Sequence, residues 1–245
     1  MSLERLAEHR RLWRSKPMLA RVYAPWFAAL VEAVPAGSRV LEVGAGPGFL
    51  AEHAGARRPD LRWIASDLHA APWNTLAADA GRLPLAARSV EAVLGLDVLH
   101  HLEAPAHFFA EAARVLRAGG RLALIEPWIT PLSWVVYRFF HQEDCRLGVD
   151  PWSPFAAGGK DSFDGDAAVP WRMVRTTRAG RWGELGLQAP RVVRLNAFAY
   201  ILSLGFRPAS LLPAPLAGPL VALDRASRPL APLTALRALL TWEKV

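Results

Sequence analysis

Three glycines at alternate positions follow a short apolar run, and their spacing has a clear chemical meaning. The stretch LEVGAGPGF contains Gly44, Gly46 and Gly48, with Glu42 ahead of them. Glycines let the backbone approach a ligand closely, and N–H groups at the start of a helix can face a polar or anionic group. A dinucleotide site of the G-x-G-x-x-G type needs its third glycine where Phe49 stands. The pattern therefore predicts a ligand site of another kind.

Side chains that could move a proton stand later in the chain. His100 and His101 follow one apolar run, and Glu126 ends another. Histidine titrates near neutral pH and can take the proton of an acceptor hydroxyl, whereas Glu126 could orient a substrate or cap a loop. The segment HQEDC at 141–145 contains His141 beside two acidic residues, which could bind a divalent cation. Solvated turns often have this composition, and we predict no metal site.

Apolar runs alternate with helical patterns between residues 39 and 127. The predicted strands are 39–43, 61–67, 90–97 and 121–127, and the predicted helices are 47–56 and 104–117. This alternation predicts an α/β fold with a doubly wound parallel sheet. Ligands bind at the carboxyl ends of the strands in such a sheet, and the glycines and both histidines follow strand ends.

The flanking segments predict a cap, an insertion and a closing part of the sheet. Residues 3–33 have a helical pattern that we expect to break near Pro17 and Pro25. Residues 128–190 contain five tryptophans and no clear period, so we interpret them as an inserted lid whose tryptophans either bind an apolar acceptor or fill the lid's own core. We expect a helix at 197–206 and a pair of closing strands at 207–213 and 236–245. A single domain then comprises a cap (1–38), a core (39–126 and 196–245) and a lid (127–195).

Composition limits the classes of function. The 245 residues are 52% hydrophobic and 21% charged, which is typical of a folded chain. The net charge is +7, but residues 40–126 contain eight basic and ten acidic side chains, so a nucleic-acid partner is not expected. The only cysteine, Cys145, excludes an internal disulfide. No signal peptide is recognised, and the proline-rich stretch 208–223 is too short to cross a membrane, so we expect a cytoplasmic protein.

The arrangement Glu42-x-Gly44-x-Gly46-x-Gly48 resembles motif I of class I S-adenosylmethionine (SAM)-dependent methyltransferases. Asp67 ends the next predicted strand, and residues 78–127 are similar to the family's middle stretch, including LHHL and a helix containing ExxRVL. The resemblance is closest to small-molecule enzymes related to those of ubiquinone and sterol methylation. The family's usual Pro-Gly-Gly after this helix is Ala-Gly-Gly here, which we expect to alter a turn only.

The resemblance implies a Rossmann-like sheet of seven strands with the last strand antiparallel, and SAM as cofactor. By the same likeness, Asp67 accepts the ribose hydroxyls and Leu68 flanks the adenine. Asp79 faces the adenine amino group beside the Ala80 N–H, and backbone near Leu96 meets the methionine amino group. His101 is the preferred catalytic residue. His100, His141 and Glu126 are the further catalytic candidates.

These features predict methyl transfer to a small apolar or aromatic acceptor, with oxygen favoured over nitrogen or carbon. A SAM-binding scaffold or sensor without transferase activity is the alternative from another class. A lipid-linked acceptor at a membrane surface is a further alternative, based on stretch 208–223 with Arg225 and Arg228 nearby. An RNA acceptor is less favoured, since no N-P-P-[FY] element follows the fourth strand. The oligomeric state stays open.

Overall fold

The computed structural model describes residues 3–32, 34–140, 143–153 and 164–245. Two helices come first, α1 (Leu3–Ser15) and α2 (Met18–Glu32), and the break between them lies next to Pro17, as expected. The predicted break at Pro25 is wrong, because this residue lies inside α2. A proline there removes one hydrogen bond, but α2 buries Trp26 and Phe27 on the core, and that burial outweighs the loss.

A single sheet of seven strands forms the centre of the described molecule. Its strands are β1 (Arg39–Val43), β2 (Arg62–Asp67), β3 (Leu76–Ala77), β4 (Val90–Leu96), β5 (Leu116–Pro127), β6 (Arg191–Leu195) and β7 (Arg237–Glu243). They lie in the order β3-β2-β1-β4-β5-β7-β6, and β7 is antiparallel to both of its neighbours. The predicted doubly wound sheet with an antiparallel last strand is confirmed. Strands β1, β2, β4 and β5 therefore end at one edge, where β7 begins.

Helices cover both faces of the sheet. They are α3 (Phe49–Arg57), α4 (Pro105–Val115), α5 (Pro131–Phe139), α6 (Val169–Thr176), α7 (Ala179–Glu184), α8 (Phe198–Ser203), α9 (Ala217–Ala226) and α10 (Ala231–Thr234). One apolar cluster includes Phe108 of α4 and Trp242 of β7, and the other includes Phe27 of α2 and Leu50 of α3. None of the helices in the described ranges is long and apolar enough to cross a bilayer.

The predicted strand at 207–213 is wrong, since these residues form turns, and β6 pairs with β7 instead. The cause is the buried ammonium group of Lys16. Its Nζ lies 2.5–2.9 Å from the carbonyl oxygens of Ser203, Gly205, Arg207 and Ala209. Carbonyls turned toward one cation cannot also form a strand ladder. Strand β6 lies at 191–195, in the segment that the sequence assigned to the insertion.

The strand before the histidine edge is also longer than expected. Helix α4 ends at Val115 and β5 begins at Leu116, so the glycine pair expected to end the helix lies within the strand. The ladder between β4 and β5 has an irregularity between Val90 and Ala92, which accommodates this early start. The carboxyl end of β5, where Glu126 lies, is where the sequence predicts it.

Tryptophans of the inserted segment pack against the sheet. The ring of Trp182 lies 5.1 Å from that of Phe109 and 5.5 Å from that of Trp242, and Trp152 lies 5.3 Å from Trp182. Trp182 is 1% exposed, whereas Trp134 is 37% exposed. The first of the two expected explanations therefore does not apply to Trp182, which fills the core.

We expect Trp182→Ala to lower the free energy of unfolding by about 3–5 kcal/mol, because a large buried side chain leaves a cavity. Urea unfolding followed by circular dichroism measures the change. Trp134→Ala is the matched control and should cost less than about 1 kcal/mol. Equal losses for the two variants would contradict the packing of the inserted segment on the sheet.

Candidate active site

The turn between β1 and α3 uses its three glycines for backbone conformation. Gly44, Gly46 and Gly48 have φ angles of +63°, +51° and +80°, a region in which a side chain causes strain. A Cβ atom on Gly44 would also lie 2.6 Å from Cγ2 of Val98, and one on Gly48 would lie 2.8 Å from Cδ1 of Trp73. The glycines thus permit both the turn and the close approach of its neighbours.

Asp67, at the end of β2, lies beside this turn. Its Oδ2 accepts a hydrogen bond of 2.8 Å from the Gly46 N–H, and its Oδ1 accepts one of 3.0 Å from the His69 N–H. Each oxygen of a carboxylate has a second lone pair, so Asp67 can hold the turn and still accept hydroxyl groups. Above Gly46 there is room, since a Cβ atom there would meet nothing closer than 3.8 Å.

Glu42 lies deeper in the sheet than the glycines. Its side chain is buried, and its Oε2 accepts a hydrogen bond of 2.8 Å from the indole N–H of Trp63. Burial raises the pKa of Glu42 to about 8, since the bond from Trp63 only partly opposes it and nearby Asp67 adds to it. The carboxyl group therefore supports the turn from beneath, through β1 and β2.

The other predicted cofactor residues lie along the same edge. The Ala78 N–H donates to the carbonyl of Asp67, which brings the loop of Asp79 and Ala80 beside the end of β2. The carboxylate of Asp79 is exposed, and its Oδ1 accepts the Gly81 N–H at 2.7 Å. Leu68 is 57% exposed. Leu96 ends β4, on the other side of β1 from β2.

Two residues that the sequence analysis missed cover the glycine turn. The Trp73 indole donates a hydrogen bond of 2.7 Å to the carbonyl of Gly46. The guanidinium of Arg10, on α1, lies 4.6 Å from the Trp73 ring and donates to the carbonyl of Pro47. It also pairs with Glu52 of α3. Helix α1 is thereby attached over the turn, and no local pattern in the sequence indicates this contact.

A second group of polar side chains lies at the ends of β4 and β5. Glu126 is 0% exposed. Its Oε1 accepts the N–H groups of Val98 at 2.9 Å and Leu99 at 2.8 Å, and its Oε2 lies 2.6 Å from Nδ1 of His100. Glu126 therefore fixes the 3₁₀ turn Leu99–His101 that follows β4, and it reaches the acceptor only through His100.

Glu143 of the inserted segment completes this group. One of its oxygens lies 3.3 Å from Nε2 of His100, and the other lies 3.6 Å from Nε2 of His101. The rings of the two histidines are 4.0 Å apart. Glu143 belongs to the HQEDC segment, but the sequence did not indicate that it faces the histidines. His141 lies outside the described residues.

Opposite electrostatic effects act on the two histidines. Burial tends to lower the pKa of His100, but attraction and hydrogen bonding to Glu126 and Glu143 outweigh it and raise this pKa to about 10. Burial and the charge of His100 lower the pKa of His101 to about 4, despite the opposing effect of Glu143. At neutral pH His101 is thus the imidazole that can accept a proton, whereas His100 already holds one on each nitrogen.

A buried ion pair closes the edge on the side of β7. The guanidinium of Arg237 pairs with Asp97, which follows β4 with φ at +55°. Its Cζ lies 4.7 Å from the ring of Trp26 and 4.8 Å from that of Tyr200. The sequence analysis missed Arg237, because the partners come from α2, β4 and α8.

This sheet order, the glycine turn after β1 and the carboxylate after β2 are the features of a class I SAM-dependent methyltransferase fold. Comparisons with known proteins agree. Residues 41–124 match the family model described as Methyltransferase domain. An uncharacterized methyltransferase of Mycobacterium sp. (strain JLS) is 36% identical over 132 residues, which cover 46% of this chain and 49% of the relative. The chain thus spans about half the length of the curated relatives it matches.

Solved structures share the fold over nearly the whole chain. A SAM-dependent methyltransferase from Archaeoglobus fulgidus has a TM-score of 0.55 at 12% identity, covering 99% of this chain and 100% of the other. The 1,6-didemethyltoxoflavin-N1-methyltransferase of Burkholderia thailandensis, solved with 1,6-didemethyltoxoflavin and S-adenosylhomocysteine, has a TM-score of 0.53 at 16% identity, covering 96% and 82%. At these identities the likeness shows the fold alone.

The raised pKa of His100 predicts a pH-dependent stability. A protonated state favoured by folding contributes its full stability below the ordinary pKa of 6.5, and this contribution is lost as the pH rises toward about 10. Glu126→Gln keeps an oxygen for the backbone N–H groups but removes the charge. We expect the variant to be less stable by about 2 kcal/mol at pH 6 and the gap to narrow by pH 10.

Urea unfolding at pH 6, 8 and 10 measures this gap. Glu103→Gln, at an exposed carboxylate near the turn, is the control and should follow the wild-type profile. A constant gap between Glu126→Gln and wild type at all three pH values would show that the charge of Glu126 does not hold the proton on His100.

Proposed function

We propose that this protein transfers the methyl group of SAM to a small apolar or aromatic acceptor, preferentially to an oxygen atom. The observation that carries the proposal is the arrangement of the carboxyl edge. A glycine turn and Asp67 lie at the ends of β1 and β2, and a neutral histidine lies after the neighbouring β4. One half of the edge has the groups to hold a nucleoside, and the other has a base for an acceptor.

The cofactor half fits SAM by its donor set. Asp67 has lone pairs left for two ribose hydroxyls, and its bond to Gly46 aligns it with the turn. Asp79 offers an exposed carboxylate to an amino group, and exposed Leu68 offers an apolar surface to a ring. SAM supplies an electrophilic methyl group when bound, so the chain has to position the acceptor and exclude water.

The acceptor half is built around His101. Its low pKa leaves the imidazole neutral near pH 7, so it can take a proton from a phenol or a carboxylic acid. Glu126 holds His100, and His100 holds the turn on which His101 lies. Oxygen acceptors need the removal of one proton at most, which a single histidine can perform.

An apolar groove beside β5 supports an apolar or aromatic acceptor. It has a volume of about 430 Å³ and begins at Trp128, directly after this strand. Trp134, Trp171 and Leu147 line it, and Arg175 and Arg194 lie at its side. Aromatic walls with few charges favour a planar apolar ligand.

A lipid-linked acceptor is the second candidate, and a surface observation favours it. Large apolar side chains are exposed on the C-terminal helical segment, namely Leu211, Leu216, Leu223, Leu230 and Leu233. Arg225 and Arg228 lie in the same segment, and basic residues beside exposed leucines favour contact with anionic lipid. Co-sedimentation with vesicles of anionic phospholipid tests this candidate, and neutral vesicles serve as the comparison.

Substitution of Asp67 tests the cofactor half. We expect Asp67→Asn to weaken SAM binding by about 1–3 kcal/mol, because an ionised acceptor of the ribose hydroxyls is lost. Isothermal titration calorimetry measures the dissociation constant. Asp60→Asn removes a carboxylate at the opposite end of β2, where it pairs with Arg58, and should bind SAM as the wild type does. An unchanged constant in Asp67→Asn would remove this residue from the ribose site.

Substitution of His101 tests the acceptor half. We expect His101→Ala to keep SAM affinity within a few-fold and to slow methyl transfer about 100-fold or more, since a general base is lost. Formation of S-adenosylhomocysteine is followed with a set of phenols and aromatic acids as acceptors. His107→Ala, an exposed histidine on α4, is the control. Wild-type turnover in His101→Ala would make the residue structural.

Turnover also separates the enzyme from a scaffold. A scaffold would bind SAM in the calorimeter and lose that affinity in Asp67→Asn, yet it would form no methylated product with any acceptor of the set. Product with the wild type, and none with Asp67→Asn at low SAM concentration, is the expected result for a transferase.

A further inference from the structure

Three side chains that commonly bind metals converge at the ends of β4 and β5. They are His100 and His101 of the 3₁₀ turn and Glu143 of the inserted segment, and their ligand atoms all lie within 4.8 Å of one another. We propose that these residues form a binding site for a divalent first-row metal ion, for which Zn²⁺ is the suitable probe. This departs from the sequence-based expectation, which placed no metal here.

The separations between the atoms fit a metal of this size. The carboxylate of Glu143 lies 3.3 Å from Nε2 of His100 and 3.6 Å from Nε2 of His101. Ligands about 2.0–2.2 Å from a tetrahedral ion lie roughly 3.3–3.6 Å from each other. Small side-chain rotations are therefore sufficient to bring the three groups into the coordination sphere.

Glu126 orients His100 for this role. It takes the Nδ1 side of the ring at 2.6 Å, which directs Nε2 toward Glu143. A carboxylate that binds one nitrogen of a histidine while the other nitrogen binds the metal is a common arrangement, since it fixes the ring and increases its basicity. Glu126 is itself held by the N–H groups of Val98 and Leu99. Two of these groups are almost fully buried, His100 at 2% exposure and Glu126 at 0%.

Gly165 fixes the two rings from the other side. A Cβ atom at this position would lie 2.8 Å from Cδ2 of His100 and 3.0 Å from Cε1 of His101. The backbone of the inserted segment thus packs directly on both imidazoles, and the Asp166 N–H donates to the carbonyl of His100. The segment that supplies Glu143 also restrains the histidines, so the site is built before any ion enters.

The local charges also suit a cation. Two carboxylates, Glu126 and Glu143, face the ring of His100. A divalent ion would replace the proton between His100 and Glu143, and it would then balance both carboxylates. A second set, Asp97 with His100 and Glu126, is also close enough, but it fits less well. Asp97 pairs with Arg237, and Glu126 already accepts hydrogen bonds on both oxygens.

The donor set indicates the class of ion. Two imidazoles and one carboxylate favour zinc, iron or a neighbouring first-row metal over calcium or magnesium, which prefer oxygen ligands. Three protein ligands leave a position open for a further oxygen atom. Its use for the acceptor's oxygen rests on the proposed function, and in that state the ion takes over from His101 the task of lowering the pKa of the hydroxyl group.

Metal titration of the full chain tests the site directly. The purified protein is stripped with a chelator and titrated with Zn²⁺ by calorimetry, and bound Co²⁺ is followed through its visible absorption. Glu143→Gln and His101→Ala remove one ligand each. Asp144→Asn is the matched control, since this exposed carboxylate is adjacent in sequence and belongs to neither set of converging ligands. His107→Ala controls for binding by an exposed histidine.

We expect the wild type and both controls to bind one Zn²⁺ per chain, and the two ligand variants to bind it at least about 100-fold more weakly, beyond the effect of losing an outer partner. Absence of stoichiometric binding in the wild type, or equal affinity in Glu143→Gln, would overturn the proposal. SAM titrations of the same samples separate the two ideas. SAM binding without zinc binding rejects the metal site alone, and zinc binding without SAM binding rejects the proposed function alone.

Discussion

The buried carboxylate of Glu126 is the interaction on which the acceptor half of the edge depends. It has no exposed surface, and it accepts two backbone N–H groups and one imidazole nitrogen. An ionised group in that position is costly unless every lone pair has a donor. The donors come from the turn after β4, so satisfying Glu126 also fixes the conformation of that turn. The positions of His100 and His101 follow from the electrostatics of a residue on another strand.

Asp67 uses the same device on the cofactor half. Its carboxylate, at the end of β2, accepts the N–H of Gly46 in the turn after β1. In both cases an acidic residue at a strand end binds backbone N–H groups of the loop that follows a neighbouring strand. A parallel sheet brings such loop and strand ends together at one edge. The two halves of the edge are therefore ordered independently, and both depend on the register of the sheet.

The local part of this architecture could be predicted from the sequence, and the reason is physical. Apolar runs specify buried strands, and three glycines at alternate positions specify a turn with positive φ, because both effects act within a few residues. The contacts that the analysis missed, Glu143 with the histidines and Arg237 with Asp97, join distant segments. The wrong strand at 207–213 has the same origin, since Lys16 takes its carbonyl oxygens from almost two hundred residues away. Short-range patterns contain no information about such partners.

The buried pair of Arg237 and Asp97 shows why distant contacts are decisive here. Removing two charges from water costs several kcal/mol per ion, and a pair of this kind adds little net stability. Arg237 lies between the rings of Trp26 and Tyr200, and the pair connects the first residue of β7 to the residue that follows β4. Its effect is therefore to fix where α2, β4 and β7 meet, next to the turn of His101. The same edge thus combines neutralised charges with aromatic walls, which gives His101 the dry surroundings that keep its imidazole neutral.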